Sequence, residues 1–234
     1  MSDDDRLREN LTAVRGQIAD AAVRSGRSSD SVKLIAVTKY VDVFITEALV
    51  RAGCHDLGES RPQQLWQKAE ALSTSDVHWH LIGHLQSNKA RRTLPLISLL
   101  HSIDSLKLLN ELDRTAAQLQ LRVAGLIEVN ISQDATKHGF HPDEVAGVLE
   151  ACAACEHLEI RGLMGMSSRE GDLDVAQREF ASLRELRDKL RANAPERVSL
   201  DELSMGMSGD FEVAILEGAT LVRVGSRLFE GLVE

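Results

Sequence analysis

The strongest constraint on the fold of this chain is a regular alternation of short apolar segments with longer amphipathic ones. Between the short segments, apolar residues recur at three- and four-residue spacings, as on one face of a helix. Strict alternation of this kind indicates parallel strands joined by helical crossovers. Eight strands are predicted, over residues 32–37, 55–59, 78–83, 99–104, 123–130, 159–164, 199–205 and 220–225.

Eight strand–helix units in 234 residues favour closure into a barrel over an open sheet, since a (β/α)8 barrel has about 250 residues. An open doubly wound sheet is expected to carry a glycine-rich dinucleotide loop after its first strand, and residues 34–42 contain no glycine. We therefore predict an α/β fold, a single (β/α)8 TIM-type barrel domain over residues 1–234. A helix within residues 1–26 precedes the barrel and packs on it through an apolar stripe, formed by Leu7, Leu11, Val14, Ile18, Ala21 and Ala22.

The composition limits the classes of partner. A formal net charge of −9 opposes adhesion to nucleic acid or to an anionic membrane surface. No segment approaches the roughly 18 apolar residues of a membrane span, and the acidic start of the chain is unlike a signal peptide. We expect a cytoplasmic protein with no nucleic-acid or membrane partner. Because no long apolar surface segment is present, a monomer is also expected.

Polar residues collect where the predicted strands end, which is where barrels of this kind build their active sites. Lys39 directly follows the first strand. A lysine in that position can form a Schiff base with a carbonyl compound. Taken alone, Lys39 is also explained by a lysine that extends to solvent at the barrel rim.

The loops after the last two strands carry small donors suited to an anion. Barrels commonly bind phosphate there, together with the N-terminus of a short extra helix. Gly225 and Ser226 follow strand eight and Ser208 follows strand seven. Asp210 and Glu212 begin the helix after Ser208 and would repel a phosphate aimed at it, so the main contact is expected from the strand-eight loop. A lysine on strand one and an anion site across strands seven and eight suit a phosphorylated aldehyde.

With these residues in place, the chain resembles the pyridoxal phosphate homeostasis protein family, whose members bind pyridoxal 5′-phosphate (PLP) and are related to the alanine racemase barrel. The likeness extends from about Leu34 to Gly231 and rests on motifs that occur in order and at barrel spacing. These motifs are LIAVTK (34–39), DLGES (56–60), WHLIGHLQSNK (79–89), HSID (101–104), VNIS (129–132), RGLMGM (161–166), LSMGMSGDFEVAI (203–215) and VRVGSRLFEG (222–231).

The resemblance implies roles for individual residues. Lys39 is implied to form the PLP aldimine, and Arg223 matches the arginine that faces the pyridine nitrogen. For Arg223 the alternative is an ion pair inside the barrel with Glu59 or Glu128. The phosphate contacts are implied to be Ser208, Gly225 and Ser226, and the other PLP-binding positions Ser60, Asn88, Asn130, Met164 and Ser204.

Two positions depart from the family pattern. The family usually has asparagine where this chain has Ser60, and a proline soon after the lysine where this chain has residues 40–42. Serine can still form a hydrogen bond but reaches less far, so the contact from the second strand is the least secure of the set.

The implied function is intracellular PLP (vitamin B6) homeostasis, in which the protein holds PLP and passes it to apo forms of PLP-dependent enzymes without strong catalysis of its own. The alternative is a PLP-dependent amino-acid racemase or lyase of fold type III. Racemases of this fold use a tyrosine from a second domain and a partner subunit, and this chain has one tyrosine, Tyr40, beside the lysine. A third possibility is a phosphosugar lyase or isomerase that uses Lys39 without PLP.

No metal site is predicted. His78 and His80 share a strand face and His84 is near, but no set of carboxylates at the other strand ends completes a ligand group. The three cysteines include a CAAC segment at 152–155 inside a helical stretch, where they are expected to pack rather than to bind metal or form disulfides.

Overall fold

The computed structural model describes residues 2–132, 134, 136–168 and 171–232. Within them, eight parallel strands close into a barrel in chain order, and the last strand pairs with the first. The predicted fold is confirmed, and every strand boundary lies within two residues of the predicted one. The strands are β1 (Lys33–Val37), β2 (Asp56–Glu59), β3 (His78–Leu81), β4 (Leu99–Ile103), β5 (Val123–Val129), β6 (Leu158–Gly165), β7 (Val198–Met207) and β8 (Leu221–Val224).

The helices lie outside the barrel, one before β1 and the others between successive strands. Short 3-10 turns flank α4, precede α6 and follow β8. The helices are α1 (Asp3–Arg24), α2 (Val43–Arg51), α3 (Pro62–Ala71), α4 (Ala90–Thr93), α5 (Leu106–Leu119), α6 (Val145–Cys152), α7 (Leu173–Arg191) and α8 (Phe211–Leu216).

Side-chain caps define where several helices begin. The Ser105 side chain accepts a hydrogen bond from the Leu108 backbone N–H and caps α5. Asp42 caps α2 and Asp172 caps α7 in the same way. Each such cap contributes about 1 kcal/mol of stability. These caps set where the chain leaves the strand-end loops that form the cleft.

Helix α1 supports the loop after β8. Its predicted apolar stripe is buried throughout, and the helix packs on α8 and on the 3-10 turn Ser226–Phe229. The Asn10 side chain donates hydrogen bonds to the backbone oxygens of Leu228 (3.1 Å) and Glu230 (3.0 Å). The N-terminal helix therefore fixes the position of the loop after β8.

The apolar interior has two parts, because alternate side chains of each strand point into the barrel or out toward the helices. The larger part lies between the strands and the helices. The smaller part fills the barrel itself and consists of Ile35, Leu99, Ala124, Leu126, Met164 and Leu221. Above this apolar layer, inward-facing positions nearer the strand ends are polar, and Arg223 follows Leu221 on the same face of β8.

The three cysteines are buried and none is in a disulfide. Burial raises the pKa of the Cys54 thiol to about 11 and that of Cys152 to about 12, so both stay protonated. Cys152 is the last residue of α6 and packs in the outer core as predicted, whereas Cys155 packs in the same core but lies beyond the end of the helix. Among the described helices, none combines the length and the apolar composition that a bilayer crossing requires.

Candidate functional site

An open cleft of about 930 Å³ lies at the C-terminal ends of the strands. Much of its wall is apolar, with Val37, Ile82, Met166 and Phe229 on its surface. A smaller cavity of about 420 Å³ adjoins it and shares Met166 with it. Six of the ten predicted binding residues line the larger cleft: Lys39, Ser60, Ser208, Arg223, Gly225 and Ser226.

The chain just before Lys39 is held by a buried ion pair. The Thr38 hydroxyl donates to Glu59 Oε1 (2.7 Å). Lys68 Nζ donates both to the same oxygen (2.6 Å) and to the Thr38 backbone oxygen (2.7 Å). Both charged side chains are almost fully buried, where loss of one partner would leave an uncompensated charge. Residue 38 is thereby tied to β2 and α3, which restricts the position from which Lys39 leaves the strand.

Lys39 itself is half-buried and lines the cleft. Its Nζ lies 4.8 Å from the centroid of the Tyr40 ring. Within the described part of the chain, no carboxylate lies within 4 Å of this amine. The amine is therefore not engaged in an ion pair that a ligand would have to displace.

The loops after β7 and β8 meet at one point of the cleft. The Gly225 backbone N–H donates to Ser208 Oγ at 3.1 Å. Over the described ranges, the backbone N–H groups of Ser208, Gly209 and Ser226 have no hydrogen-bond acceptor. A 3-10 turn begins at Ser226, directly after the Gly225 contact. Several backbone donors are thus available to an anion between these loops.

Two glycines allow the backbone segments around the cleft to approach closely. A Cβ on Gly83 would lie 2.3 Å from the Ser60 backbone oxygen, so no other residue fits without moving the loop after β2. A Cβ on Gly225 would lie 3.1 Å from the Val37 backbone oxygen. Glycine at these positions keeps the ends of neighbouring strands close together.

The two acidic residues expected to repel a phosphate already have donor partners. Asp210 accepts hydrogen bonds from the Met207 backbone N–H (2.6 Å) and from the Ser167 hydroxyl (2.6 Å). Glu212 lies 3.5 Å from Arg227 and is also near Arg24. Their negative charge is therefore partly compensated beside the anion site.

Arg223 is buried, and its side chain points into the upper barrel. Nη1 donates to Ser204 Oγ (2.6 Å) and Nη2 to the Gly165 backbone oxygen (3.1 Å). Burial lowers the pKa of Arg223 to about 10, against the opposing charges of Glu128 and Asp210. At that value the guanidinium keeps its proton at neutral pH.

The alternative of an ion pair inside the barrel does not describe Arg223. Across the described ranges, no carboxylate lies within 4 Å of its guanidinium. Glu59 is paired with Lys68 instead, and Glu128 affects Arg223 only through longer-range charge. The remaining guanidinium N–H groups are therefore available on the side of the cleft.

Four predicted binding residues lie outside the lining of the cleft, and their roles remain predictions. Ser204 is fully buried beneath Arg223, and Met164 belongs to the apolar layer inside the barrel. The Asn130 side chain donates to the Asp134 backbone oxygen (2.8 Å), and Asn88 is exposed. Met166, two residues beyond Met164 on the same face of the chain, is at the cleft instead.

A cluster of two histidines and an aspartate lies at another part of the rim. Asp104 Oδ2 is 2.6 Å from His84 Nδ1 and 3.7 Å from His138 Nδ1. The two imidazole rings are stacked, with centroids 4.7 Å apart and an interplanar angle of 16°. The three possible ligand atoms lie within 4.8 Å of one another, but the in-plane lone pairs of nearly parallel rings converge on one ion only if a ring turns. Hydrogen bonding to the buried aspartate accounts for the arrangement.

Glu128 is a buried carboxyl group near this cluster and near Arg223. Burial raises its pKa to about 7, and the Asp104 carboxylate adds to the shift, while Arg223 and His84 oppose it. A raised carboxyl pKa means that the folded protein binds a proton more tightly than the unfolded chain does. This contribution to stability is present below the unfolded pKa of 4.5 and is lost as the pH rises through 7.

Glu128→Gln is therefore expected to make the stability of the ligand-free protein less dependent on pH. Glutamine stays neutral, so the variant should gain stability relative to wild type between pH 5 and pH 8, by up to about 3 kcal/mol. Denaturant unfolding at the two pH values measures the difference. Glu150→Gln, on the exposed face of α6, is the matched control and should show no gain. An equal pH dependence in wild type and Glu128→Gln would contradict a raised pKa at this site.

The fold and the cleft define a class of protein, the barrels built like the N-terminal domain of alanine racemase, and the model of that family matches residues 3–232. A relative from Aquifex aeolicus, named pyridoxal phosphate homeostasis protein, is 37% identical over 221 residues, covering 94% of this chain and 96% of the relative. A Synechocystis relative of the same name is 39% identical over 200 residues, covering 85% and 91%. The chain belongs to the pyridoxal phosphate homeostasis protein family.

A solved structure is also similar to this chain. PipY of Synechococcus elongatus, determined with PLP bound, superposes with a TM-score of 0.85 at 33% identity, covering 95% of this chain and 99% of PipY.

Proposed function

We propose that this chain holds PLP as a Schiff base on Lys39 and serves intracellular PLP homeostasis, without strong catalytic activity of its own. One observation carries the proposal: a lysine amine with no ion-pair partner among the described residues lies just after β1 and lines the same cleft as a set of backbone donors from the loops after β7 and β8. The PLP bound by PipY, at 33% identity, supports the choice of ligand.

The residues of the cleft suit the separate parts of PLP. The backbone N–H groups of Ser208, Gly209 and Ser226 would hold the phosphate, and Arg223 would direct a free N–H to the pyridine nitrogen. The apolar wall formed by Val37, Ile82 and Met166 would pack against the ring. When bound, PLP supplies an aldehyde carbon and an electron-withdrawing ring.

The position of the tyrosine favours a carrier over a racemase. A guanidinium is a permanent donor, so Arg223 would leave the ring nitrogen unprotonated and weaken the ring as an electron sink, and a racemase with such an arginine depends on a second acid–base group opposite the lysine. Tyr40 is the single tyrosine of the chain, and it follows Lys39 directly and is 79% exposed. It is not placed to exchange a proton on the face opposite the lysine, which racemisation requires.

The test of the covalent assignment is reduction of PLP-loaded protein with borohydride, followed by peptide mapping. We expect the label on Lys39. A label on Lys33, Lys89 or Lys137 would overturn the assignment, and purified protein that never acquires visible absorbance with PLP would favour the phosphosugar lyase or isomerase alternative.

The racemase or lyase alternative is tested separately. PLP-loaded protein is incubated with single enantiomers of several amino acids, and the products are separated on a chiral column. We expect no turnover above that of free PLP, and rapid racemisation or cleavage would replace the carrier proposal.

We propose that the protein acts as one domain and as a monomer in the cytoplasm, and that the acceptors of PLP are apo forms of PLP-dependent enzymes. Transfer from loaded protein to an apo enzyme, followed as recovered activity against an equal concentration of free PLP, measures this step.

A further inference from the structure

We propose that a chain of hydrogen bonds through the barrel interior, from Asp56 to Arg223, fixes the direction in which Arg223 donates and thereby sets the environment of the ring nitrogen. The effect on the ring nitrogen rests on the proposed function, whereas the hydrogen bonds themselves are formed by the protein without PLP. Asp56, His80, His101 and Ser204 are positioning residues in this proposal, because they act through Arg223.

The chain consists of four consecutive contacts. Asp56 Oδ1 lies 3.1 Å from His80 Nε2, and His80 Nδ1 lies 3.0 Å from His101 Nε2. His101 Nδ1 lies 2.8 Å from Ser204 Oγ, which is 2.6 Å from Arg223 Nη1. The contacts cross the barrel from β2 through β3, β4 and β7 to β8. Each residue is on the inward face of its strand.

The direction of the hydrogen bonds follows from the carboxylate end when both rings are neutral. Asp56 can only accept, so His80 carries its proton on Nε2 and donates it to the carboxylate. His80 Nδ1 then accepts from His101, which carries its proton on Nε2. His101 Nδ1 in turn accepts from the Ser204 hydroxyl. At the other end Ser204 Oγ accepts from Arg223, which can only donate.

The burial of the two histidines agrees with this assignment, which needs both rings neutral. Burial lowers the pKa of His101 well below its usual value, and the charges of His80 and Arg223 lower it further. Burial also lowers the pKa of His80, against the hydrogen bond to Asp56. The pKa of Asp56 is lowered because its contacts with His80, Lys33 and His78 outweigh the effect of its burial.

The Asp56 end of the hydrogen-bond chain is open to solvent. Asp56 lies at the start of β2, opposite the cleft, and lines a cavity of about 390 Å³ with Arg15, Lys33 and His55. Lys33 Nζ and His78 Nδ1 lie 3.4 Å and 3.5 Å from its carboxylate. A change of charge at this end is therefore expected to alter the hydrogen bonding of Arg223, although Asp56 does not contact the cleft.

The first test uses nitrogen-15 NMR of the histidines in PLP-free protein at neutral pH. We expect His80 and His101 both to be neutral, with the proton on Nε2. A proton on Nδ1 of either ring, or a charged ring, would overturn the assigned direction whether or not the protein binds PLP.

The second test compares variants at Asp56. Asp56→Ala removes the acceptor of His80, so we expect altered NMR signals of His101, a shifted visible maximum of bound PLP and PLP affinity about three- to tenfold weaker. Asp56→Asn keeps an acceptor oxygen and should retain most of the wild-type behaviour. Asp76→Ala is the control, because Asp76 is exposed beside His78 at the same end of the barrel but outside the chain.

The outcomes separate the two proposals. Unchanged His101 signals and an unchanged PLP spectrum in Asp56→Ala would overturn the inference. If borohydride instead fails to label Lys39 in wild type, the proposed function fails. The NMR of PLP-free protein still tests whether the hydrogen-bond chain has the proposed direction. Circular dichroism checks that the Asp56 and Asp76 variants fold. The NMR of the wild-type protein needs no variant, so it tests the proposal even if a variant fails to fold.

Discussion

Lys39→Ala is expected to abolish the visible absorbance of bound PLP and to raise the Kd for PLP on the order of 100-fold, about 2.7 kcal/mol. The variant removes the amine that forms the covalent bond but leaves the anion site and Arg223 in place, so weak binding should persist. The fold should be retained, because Lys39 is half-buried at the rim and has no ion-pair partner among the described residues. Absorbance titration with PLP and a thermal melt measure the two effects.

Lys107→Ala is the matched control for this result. Lys107 is exposed on α5 and does not line the cleft. Its loss should leave the covalent bond to PLP intact and should change stability by no more than about 1 kcal/mol. If Lys39→Ala still reacted with PLP to give the wild-type spectrum, another lysine would hold the ligand and the assignment to Lys39 would be wrong.

Ser226→Asp is expected to weaken PLP binding about 10- to 100-fold through repulsion of the phosphate. The substitution places a carboxylate at the start of the 3-10 turn, next to the donors of the loops after β7 and β8. Two unit charges about 5 Å apart at an effective dielectric constant near 20 repel by about 3 kcal/mol, and solvent exposure reduces this figure. Added salt should therefore recover part of the affinity. A fluorescence or absorbance titration measures it.

Two comparisons make the result specific. Ser28→Asp adds the same charge on the exposed loop before β1 and should bind PLP like wild type. Ser226→Ala keeps the backbone N–H and should lose far less affinity than Ser226→Asp. Equal Kd values for the aspartate variants at positions 226 and 28 would remove the phosphate from the strand-eight loop.

The barrel and much of the candidate site could be predicted from the sequence because both depend on local patterns. Alternation of apolar segments is a property of neighbouring residues, and it placed every strand within two residues of its observed bounds. In a closed parallel barrel all strands end at the same rim. Residues far apart in the chain, such as Lys39 and Ser226, therefore had to meet once their positions at strand ends were recognised.

Tertiary structure alone decided which side chains meet inside the barrel. The pairing of Glu59 with Lys68, the placement of Met166 rather than Met164 at the cleft, and the chain from Asp56 to Arg223 depend on strand register and on the stagger of the barrel. Neither quantity is encoded in the spacing along one segment. The sequence by itself determined the architecture and the rim on which the site lies, whereas the contacts that orient Arg223 arise only when β2, β3, β4, β7 and β8 close around a common interior.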